Sequence, residues 1–348
     1  MKFTPDTPRS DLQVSDMDSV GTAEANLITP SDLHVAQVRI GTTCLRTPVL
    51  HLPRPAGAGS VWVKAESLQR TGSFKLRGVA NAVAALGEVG GARGVVTYSA
   101  GNHGRALAYA ARRADIAATV VMPRTASPYK IDATRALGAT VVLRAPDEIV
   151  PHAHHLADVR GLTVVPPFDD PHIIAGQGTV GLELLEQVDD IDTVLVPVGG
   201  GGLMAGVAAA IKNQRPGARV VAVEPELAAD LAEGFVTGKR TVWSRELTGR
   251  TIADGLRSAA VGELTWAHIT ALVDDVVTVS EEAIVSAMRW LAEYGKLVVE
   301  PSGAVAAAAI LEHTHRLGRG NIAAIATGGN IDLRDFAALV TATPTPAV

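Results

Sequence analysis

The chain has 348 residues, of which 47% are hydrophobic and 19% are charged, and its formal net charge at pH 7 is −5. This composition supplies a large hydrophobic core. The slightly acidic charge, without any basic run, argues against nucleic acid or an anionic membrane as a partner. Because a single core stops growing near roughly 250–300 residues, we expect two compact lobes.

The N-terminal segment and the single cysteine bear on where the protein works. Residues 1–28 are polar and contain two prolines, without the apolar block of a signal peptide, and we predict a flexible tail there. No apolar run reaches the roughly 20 residues that a membrane span needs. Cys44 is the only cysteine, which excludes an internal disulfide and indicates a reducing compartment. We therefore predict a cytoplasmic protein.

Helix and strand patterns alternate along the rest of the chain. Thr29, a capping residue before Pro30, predicts the start of the first helix, and two extended segments at 45–52 and 61–65 follow. Further strands are predicted, in chain order, at 94–98, 118–122, 140–143, 162–165, 193–198, 219–223 and 321–326. Helices are predicted at 79–86, 104–113, 128–137, 150–159, from about 178, and at 203–212, 281–294 and 304–317.

The repeated strand–helix unit predicts an α/β fold with parallel sheets covered by helices on both faces. We predict a small open α/β lobe at 94–169 and a larger α/β lobe formed by both flanks, 29–93 and 170–340, with a C-terminal tail at 341–348. Ligands of such open sheets bind beyond the carboxyl ends of the strands. The glycine-rich segments described next all fall at such ends.

One lysine stands out in the segment Ser-Phe-Lys-Leu-Arg-Gly at residues 73–78. Lys75 lies between Phe74 and Leu76, directly before a predicted helix. A lysine held against apolar neighbours can lose its proton near neutral pH and attack a carbonyl group as a free amine. A solvated lysine at the start of a surface helix is the simpler interpretation of this segment alone.

Four successive glycines, residues 199–202, follow a predicted strand and open a predicted helix at Leu203. A backbone without side chains can wrap around an anion, and the start of the helix adds N–H donors and the positive end of the helix dipole. The segment is therefore a candidate phosphate cradle. An ordinary loop is the alternative interpretation.

A dinucleotide site is a second alternative for the same glycines. Gly200, Gly202 and Ala205 match the loose dinucleotide-binding pattern, and Glu224 ends the next predicted strand, where a ribose ligand would lie. This pattern is weak with alanine in third place, and it leaves Lys75 without a role.

Two more segments place polar residues directly after a predicted strand. Residues 99–104, Ser-Ala-Gly-Asn-His-Gly, lie between a strand and a helix, so their backbone N–H groups could hold a carboxylate, and Asn102 could bond a ring hydroxyl. Asn102 as an ordinary helix cap is the alternative. Thr327 lies in a Thr-Gly-Gly-Asn segment that closes the last predicted strand, and an ordinary turn is the alternative there.

The segment at 73–78 resembles the Schiff-base lysine motif of the fold type II pyridoxal-phosphate enzymes, the group of tryptophan synthase β. Within that group the chain is most similar to the serine/threonine dehydratases and serine racemases. Segments at 175–179, 251–255 and 296–303 also match in order, so the resemblance spans about 29–335. It implies a tryptophan-synthase-β-like fold with two open parallel-sheet α/β lobes and the active site between them.

The resemblance also implies roles for individual residues. Lys75 would bind the cofactor covalently and move the α-proton of the substrate. The implied cofactor-binding residues are Phe74, Lys75, Asn102, Gly199, Gly200, Gly201, Gly202 and Thr327, with Thr327 facing the pyridine nitrogen. The implied residues for the substrate carboxylate are Ser99, Ala100, Gly101, Asn102 and His103.

The implied reaction is that of a dehydratase, or ammonia-lyase, which converts L-threonine or L-serine to a 2-oxo acid and ammonia. A neutral partner at the pyridine nitrogen suits elimination of a β-hydroxyl more than reactions through a long-lived carbanion. In serine racemases a serine precedes Gly-Asn-His and acts as the second acid/base, and Ala100 stands there in this chain. The alternatives are a lyase for 3-hydroxyaspartate, a serine racemase, and a nucleotide-binding or inactive relative.

A divalent-cation site and a homodimer are further implications. Racemase-like members hold a cation through a glutamate, a backbone carbonyl and an aspartate, and the matching positions here are Glu224, Ala228 and Asp230. Oxygen ligands of this kind fit Mg²⁺ or Ca²⁺. Exposed loop acids are the alternative interpretation.

Overall fold

In a computed structural model of the protein, the structure describes residues 27–54, 59–89, 93–99, 101–126 and 128–342. Most of both predicted tails, and Ala100, therefore lie outside the described residues. Ile28, which the prediction assigned to the N-terminal tail, is buried, and its N–H donates to Nε2 of His268 over 2.8 Å.

The strands form two sheets. Across the larger sheet the order is β1 (Val49–Leu52), β2 (Val61–Ala65), β10 (Ile322–Ala326), β7 (Thr193–Pro197), β8 (Arg219–Pro225) and β9 (Asp275–Val279). Across the smaller sheet it is β5 (Thr140–Arg144), β4 (Ala118–Pro123), β3 (Val95–Tyr98) and β6 (Thr163–Val164). Only β1 and β2 pair antiparallel among these strands; the other pairs are parallel, as predicted.

The helices connect the strands and cover the sheets. In chain order they are α1 (Pro30–Ile40), α2 (Lys75–Val89), α3 (Asn102–Arg113), α4 (Pro128–Ala136), α5 (Ile149–Arg160), α6 (Pro171–Gln187), α7 (Gly202–Gln214), α8 (Asp230–Thr237), α9 (Arg245–Thr248), α10 (Glu263–Leu272), α11 (Glu281–Gly295), α12 (Pro301–Glu312) and α13 (Leu333–Thr341). Their starts follow local rules. The Thr29 side chain accepts from the Asp32 N–H and the Asp32 side chain accepts from the Thr29 N–H, so both orphan donors at the start of α1 are satisfied.

The larger sheet is buried on both faces, because successive side chains of each strand point to opposite sides. Leu195 of β7 packs in one core cluster with α11 and α12, whereas Val194 and Val196 pack in another with α7. The strands accordingly consist almost entirely of apolar residues. Their carboxyl ends carry the loops that form the site described below.

The smaller sheet is formed between residues 95 and 164, and the larger sheet is formed from strands on both sides of that segment. The predicted lobe boundaries at 93/94 and 169/170 stay a prediction. The prediction missed β9, and it placed the end of α12 at Leu317 rather than Glu312. The short β9 begins with an aspartate and follows a helix that the prediction had not placed, so nothing nearby marked it as part of the sheet.

Candidate active site

A cavity of about 330 Å³ lies at the carboxyl ends of strands from both sheets. It is lined by nearly all of the residues that the sequence singled out for cofactor and substrate: Phe74, Lys75, Ser99, Gly101, Asn102, His103, Gly199, Gly200, Gly201, Gly202 and Thr327. Ala100 lies outside the described residues. Segments that are far apart in the chain thus meet around one space, although their individual roles stay predictions.

Lys75 is the first residue of α2, and its loop is fastened to the end of β10. The N–H of Phe74 donates to the carbonyl of Thr327 over 3.0 Å, and Ser73 pairs with Gly328. The Nζ of Lys75 donates to the carbonyl of Pro167 over 2.8 Å and lies 5.1 Å from the centroid of the Phe74 ring. Burial lowers the pKa of Lys75 to about 8, so a substantial share of the amine is neutral near physiological pH.

The backbone of the glycine loop approaches its neighbours so closely that there is no room for side chains. A bare backbone of this kind can wrap around an anion. Gly201 has φ of +88°, which favours glycine, and a Cβ on Gly200 would overlap the ring of Phe168. The loop is held by Thr265, whose hydroxyl donates to the Gly200 carbonyl over 2.9 Å. The first N–H groups of α7 have no acceptor within the helix, so they are available to a phosphate at this point.

Asn102 is not a capping residue, contrary to the alternative interpretation. Gly101 occupies the cap position of α3 without a side-chain bond. The Asn102 Nδ2 donates to Oε1 of Glu300 over 2.6 Å, and its Oδ1 accepts from Nδ2 of Asn330 over 2.7 Å. Asn330 in turn donates to the carbonyl of Thr71 over 2.8 Å. The orientation of the Asn102 amide is therefore fixed from both sides.

His103 is a neutral residue of the cavity wall. Its Nε2 lies 3.0 Å from the carbonyl of Val165 and donates to it, while Nδ1 is buried and meets no hydrogen-bond partner within the described ranges. Burial, together with the nearby charge of Lys75, lowers the pKa of His103 to about 3. A ring held in this form does not donate a proton through Nδ1 at neutral pH.

Thr327 is buried, and its hydroxyl donates to the carbonyl of Ser302 over 3.2 Å. A hydroxyl can rotate to serve a different acceptor. To bond an unprotonated ring nitrogen, Thr327 would have to turn this proton toward the ring. Its predicted role therefore requires exchange of one hydrogen bond for another.

The sequence did not mark several charged residues of the cavity wall. Glu300, Arg105, Lys130 and Asp254 all line it. Burial raises the pKa of Glu300 to about 7, and the charge of Asp254 acts in the same direction. Asp254 and Glu300 lie inside matching segments, at 251–255 and 296–303, but nothing in those segments indicated that they would line the cavity or that Glu300 would meet Asn102.

The predicted cation site is buried, contrary to the interpretation as exposed loop acids. Glu224 and Asp230 are 0% and 2% exposed. The Glu224 carboxylate accepts from the N–H of Leu231 (3.2 Å) and of Ala232 (2.8 Å). Asp230 Oδ2 is buried and has no hydrogen-bond partner in the part of the chain that the structure describes. Burial raises the pKa of Glu224, as does the charge of Asp230, and burial raises the pKa of Asp230 to about 7.

This buried pair is not a cluster of many ligands. In the described part of the chain, no group of three or more histidine, cysteine, aspartate or glutamate side chains could hold a metal ion. A cation here would therefore need backbone carbonyls, such as that of Ala228, and water. Glu224 does not line the cavity that contains the glycine loop, so it does not serve a dinucleotide ribose there.

Comparison with known proteins agrees with this geometry. Residues 40–328 match the family model described as pyridoxal-phosphate dependent enzyme. The chain belongs to this family. Its cofactor is accordingly pyridoxal phosphate, and Lys75, the glycine loop and Asn102 fit that group by their chemistry. Family membership removes the dinucleotide interpretation of the glycines.

Individual relatives are similar over most of the chain. An L-threonine ammonia-lyase from Thermotoga maritima is 41% identical over 313 residues, which are 88% of this chain and 77% of that protein. The solved structure of the processed form of threonine deaminase isoform 2 from Solanum lycopersicum is 37% identical with a TM-score of 0.82, covering 89% of this chain and 86% of that one. A serine racemase structure from Dictyostelium discoideum is 37% identical with a TM-score of 0.82, covering 88% and 99%.

These likenesses establish the fold type II arrangement of two open parallel-sheet lobes. None of the helices in the described ranges combines the length and the apolar character that crossing a bilayer requires.

Proposed function

We propose that the protein is a pyridoxal-phosphate-dependent ammonia-lyase that converts L-threonine and L-serine to a 2-oxo acid and ammonia. The observation that carries this proposal is the position of a lysine amine with pKa of about 8 in the same cavity as a glycine phosphate cradle and the residues Ser99, Gly101, Asn102 and His103. The name of the Thermotoga maritima relative supports the same reaction.

The proposed steps assign one task to each part of the cavity. Pyridoxal phosphate, when bound, supplies the electron sink that allows the α-proton and then the β-hydroxyl to leave. The backbone N–H groups at 99–103 hold the substrate carboxylate, and Lys75 takes the α-proton on its neutral amine. Asn102 is oriented by Glu300 and Asn330 to bond the ring hydroxyl. The β-hydroxyl leaves as water, and one water molecule is consumed in the hydrolysis that releases ammonia. The reaction therefore has no net change in water.

Elimination is favoured over racemisation by the identity of one residue. Racemisation needs a proton donor on the face opposite the lysine, and Ala100 carries only a methyl group at the position where serine racemases have a serine. His103 does not replace it, because burial lowers its pKa to about 3. We therefore expect ammonia release to exceed formation of D-serine by a wide margin.

The test is to incubate the holoenzyme with L-threonine and L-serine and to measure 2-oxo acid, ammonia and D-amino acid together. Equal amounts of 2-oxo acid and ammonia, with little D-serine, support the proposal. Formation of D-serine as the main product would identify a racemase instead. Absence of both products from a holoenzyme that holds its cofactor would reject both activities.

We further propose that Glu224, the Ala228 carbonyl and Asp230 bind Mg²⁺ or Ca²⁺. The support is a pair of buried carboxylates, with one oxygen of Asp230 that has no hydrogen-bond partner among the described residues. Such groups cost free energy unless a cation or proton compensates them.

The cation proposal is tested by comparing the melting temperature with Mg²⁺ or Ca²⁺ and with a chelator. Asp230→Asn should remove the cation-dependent stabilisation, whereas Glu226→Gln, at an exposed position in the same turn, should retain it. If neither cation changes the melting temperature of the unaltered protein, the site would be rejected.

We also propose a homodimer in the cytoplasm. The family resemblance supports the dimer, and the use of a single cysteine supports a reducing compartment. Light scattering and cell fractionation test the two statements, and a monomer or an exported protein would contradict them.

A further inference from the structure

Asp169 lies in the short connection between β6 and α6, and its carboxylate binds the start of a different helix, α10. Its Oδ1 accepts from the N–H of Leu264 over 3.0 Å and from the N–H of Thr265 over 3.2 Å. Its Oδ2 accepts from the N–H of Glu263 over 3.1 Å. Gly262 precedes the helix without a side-chain cap, and a Cβ there would overlap the carboxylate. A residue distant in the chain therefore satisfies three orphan donors at the start of α10.

The first turn of α10 in turn holds the glycine loop. The carbonyl of Gly200 accepts from the Thr265 hydroxyl over 2.9 Å and from the N–H of Gly262 over 3.2 Å. Thr265 is buried, and a Cβ on Gly201 would lie 2.7 Å from its hydroxyl oxygen. Both donors to the Gly200 carbonyl thus belong to the turn that Asp169 holds.

These bonds fix the direction of the next N–H group of the loop. Neither Thr265 nor Gly262 lines the cavity, so the Gly200 carbonyl is held away from it. The peptide bond between Gly200 and Gly201 is trans, and in a trans peptide the C=O and the N–H point in opposite directions. The N–H of Gly201 therefore faces away from α10, on the side where an anion would lie.

The two residues before this aspartate contact the rest of the cofactor site. The ring of Phe168 fills the space beside Gly200, and a Cβ on Gly202 would lie 3.0 Å from the Phe168 Cα. The carbonyl of Pro167 accepts from Nζ of Lys75 over 2.8 Å. Three consecutive residues thus contact the amine, the glycine loop and the helix behind that loop.

We propose that Asp169 is a positioning residue for the phosphate of the cofactor. It fixes the first turn of α10, which fixes the Gly200 carbonyl and, through it, the N–H of Gly201. The inference rests on the glycine loop as the phosphate cradle of the proposed function, but it does not depend on which amino acid the enzyme takes. Removing the carboxylate should weaken the hold on the phosphate and not the hold on the pyridine ring.

Pyridoxal, which lacks the phosphate, separates this role from a general loss of structure. In titrations of the apoprotein, Asp169→Ala should raise the dissociation constant for pyridoxal phosphate roughly tenfold and that for pyridoxal less than about twofold. Asp169→Asn keeps an oxygen that can accept from the N–H groups of Leu264 and Thr265, so it should retain most of the affinity.

Asp170→Ala is the matched control. Asp170 caps α6 by accepting from the N–H of Ile173 over 3.0 Å, so this variant loses the same kind of bond one residue further along. Its helix supplies neither donor to the Gly200 carbonyl. Both alanine variants should therefore lower the melting temperature by similar amounts, but only Asp169→Ala should lose affinity for the phosphate.

A double variant tests the route through α10. Thr265→Val removes the hydroxyl that holds the Gly200 carbonyl. If Asp169 acts through this contact, the two effects are not independent. The dissociation constant of the double variant for pyridoxal phosphate should then rise by clearly less than the product of the two single rises.

Three outcomes would overturn the inference: an equal loss of affinity for pyridoxal phosphate and pyridoxal in Asp169→Ala, no recovery in Asp169→Asn, or a rise in the double variant equal to the product. None of these measurements needs turnover. A protein that gives the expected results but releases no 2-oxo acid would contradict the proposed reaction alone.

Discussion

Arg77 and Glu66 form a salt bridge of 2.8 Å in which neither side chain is exposed. Arg77 also pairs with Glu183 over 2.7 Å, and Glu183 pairs with Lys64 over 2.6 Å. Two cations and two carboxylates thus balance inside the protein, between α2, α6 and β2. Because Arg77 lies two residues after Lys75, this cluster fixes the start of the helix that carries the amine.

Removing one member of the cluster should therefore destabilise the fold. Arg77→Met leaves two buried carboxylates with only Lys64, and we expect the free energy of unfolding to fall by about 3–5 kcal/mol. Urea denaturation of the holoenzyme measures this free energy of unfolding. The control is Arg46→Met, whose pair with Glu186 is 53% and 43% exposed, and its cost should be about 0–1 kcal/mol. Similar losses in both variants would contradict the role of burial.

Lys75→Ala should abolish both covalent attachment of the cofactor and turnover. Without the amine no borohydride-reducible link can form, and the α-proton has no acceptor, so activity should fall by at least roughly 10³-fold. Mass spectrometry after borohydride treatment and release of 2-oxo acid are the measurements. Lys239→Ala, at an exposed position, is the control. Retained turnover in Lys75→Ala would remove this lysine from the reaction.

Attachment of pyridoxal phosphate to the apoprotein should depend on pH through Lys75. Only the neutral amine attacks, and burial lowers its pKa to about 8 from 10.5. The rate should therefore rise roughly tenfold per pH unit below 8 and level off above it. Stopped-flow absorbance at a series of pH values measures this rate. A profile that keeps rising toward 10.5 would show that the amine is not perturbed.

Gly200→Ala should weaken binding of the cofactor. Its Cβ would overlap the Phe168 ring, so the loop must move, and the dissociation constant for pyridoxal phosphate should rise roughly tenfold or more. Titration of the apoprotein measures it. Gly217→Ala is the control, because a Cβ there meets no atom within 4 Å. An unchanged affinity of Gly200→Ala for pyridoxal phosphate would show that the loop does not hold the phosphate.

Local patterns accounted for the parts of the site that lie within one segment. The strand and helix around residues 199–202, and the lysine between Phe74 and Leu76, are readable because each needs only its own neighbours. The contact between Asn102 and Glu300 could not be predicted, because Glu300 lies 198 residues away and meets Asn102 only in the folded chain. Arg105 carried no mark for the same reason, because Glu300, which it meets at the cavity wall, comes from a distant part of the chain. The strand β9 was missed because it begins with an aspartate and follows a helix that was not predicted, so no neighbouring pattern indicated a further strand of the sheet.

The position of β10 has a consequence for biosynthesis. This strand lies between β2 and β7, so the N-terminal β1–β2 pair has no neighbour in the larger sheet until residues 322–326 have been made. Nearly all of the chain must therefore leave the ribosome before the loop that carries Lys75 can bond to Thr327. We expect nascent chains shorter than this to expose an unpaired strand edge and to need protection from aggregation.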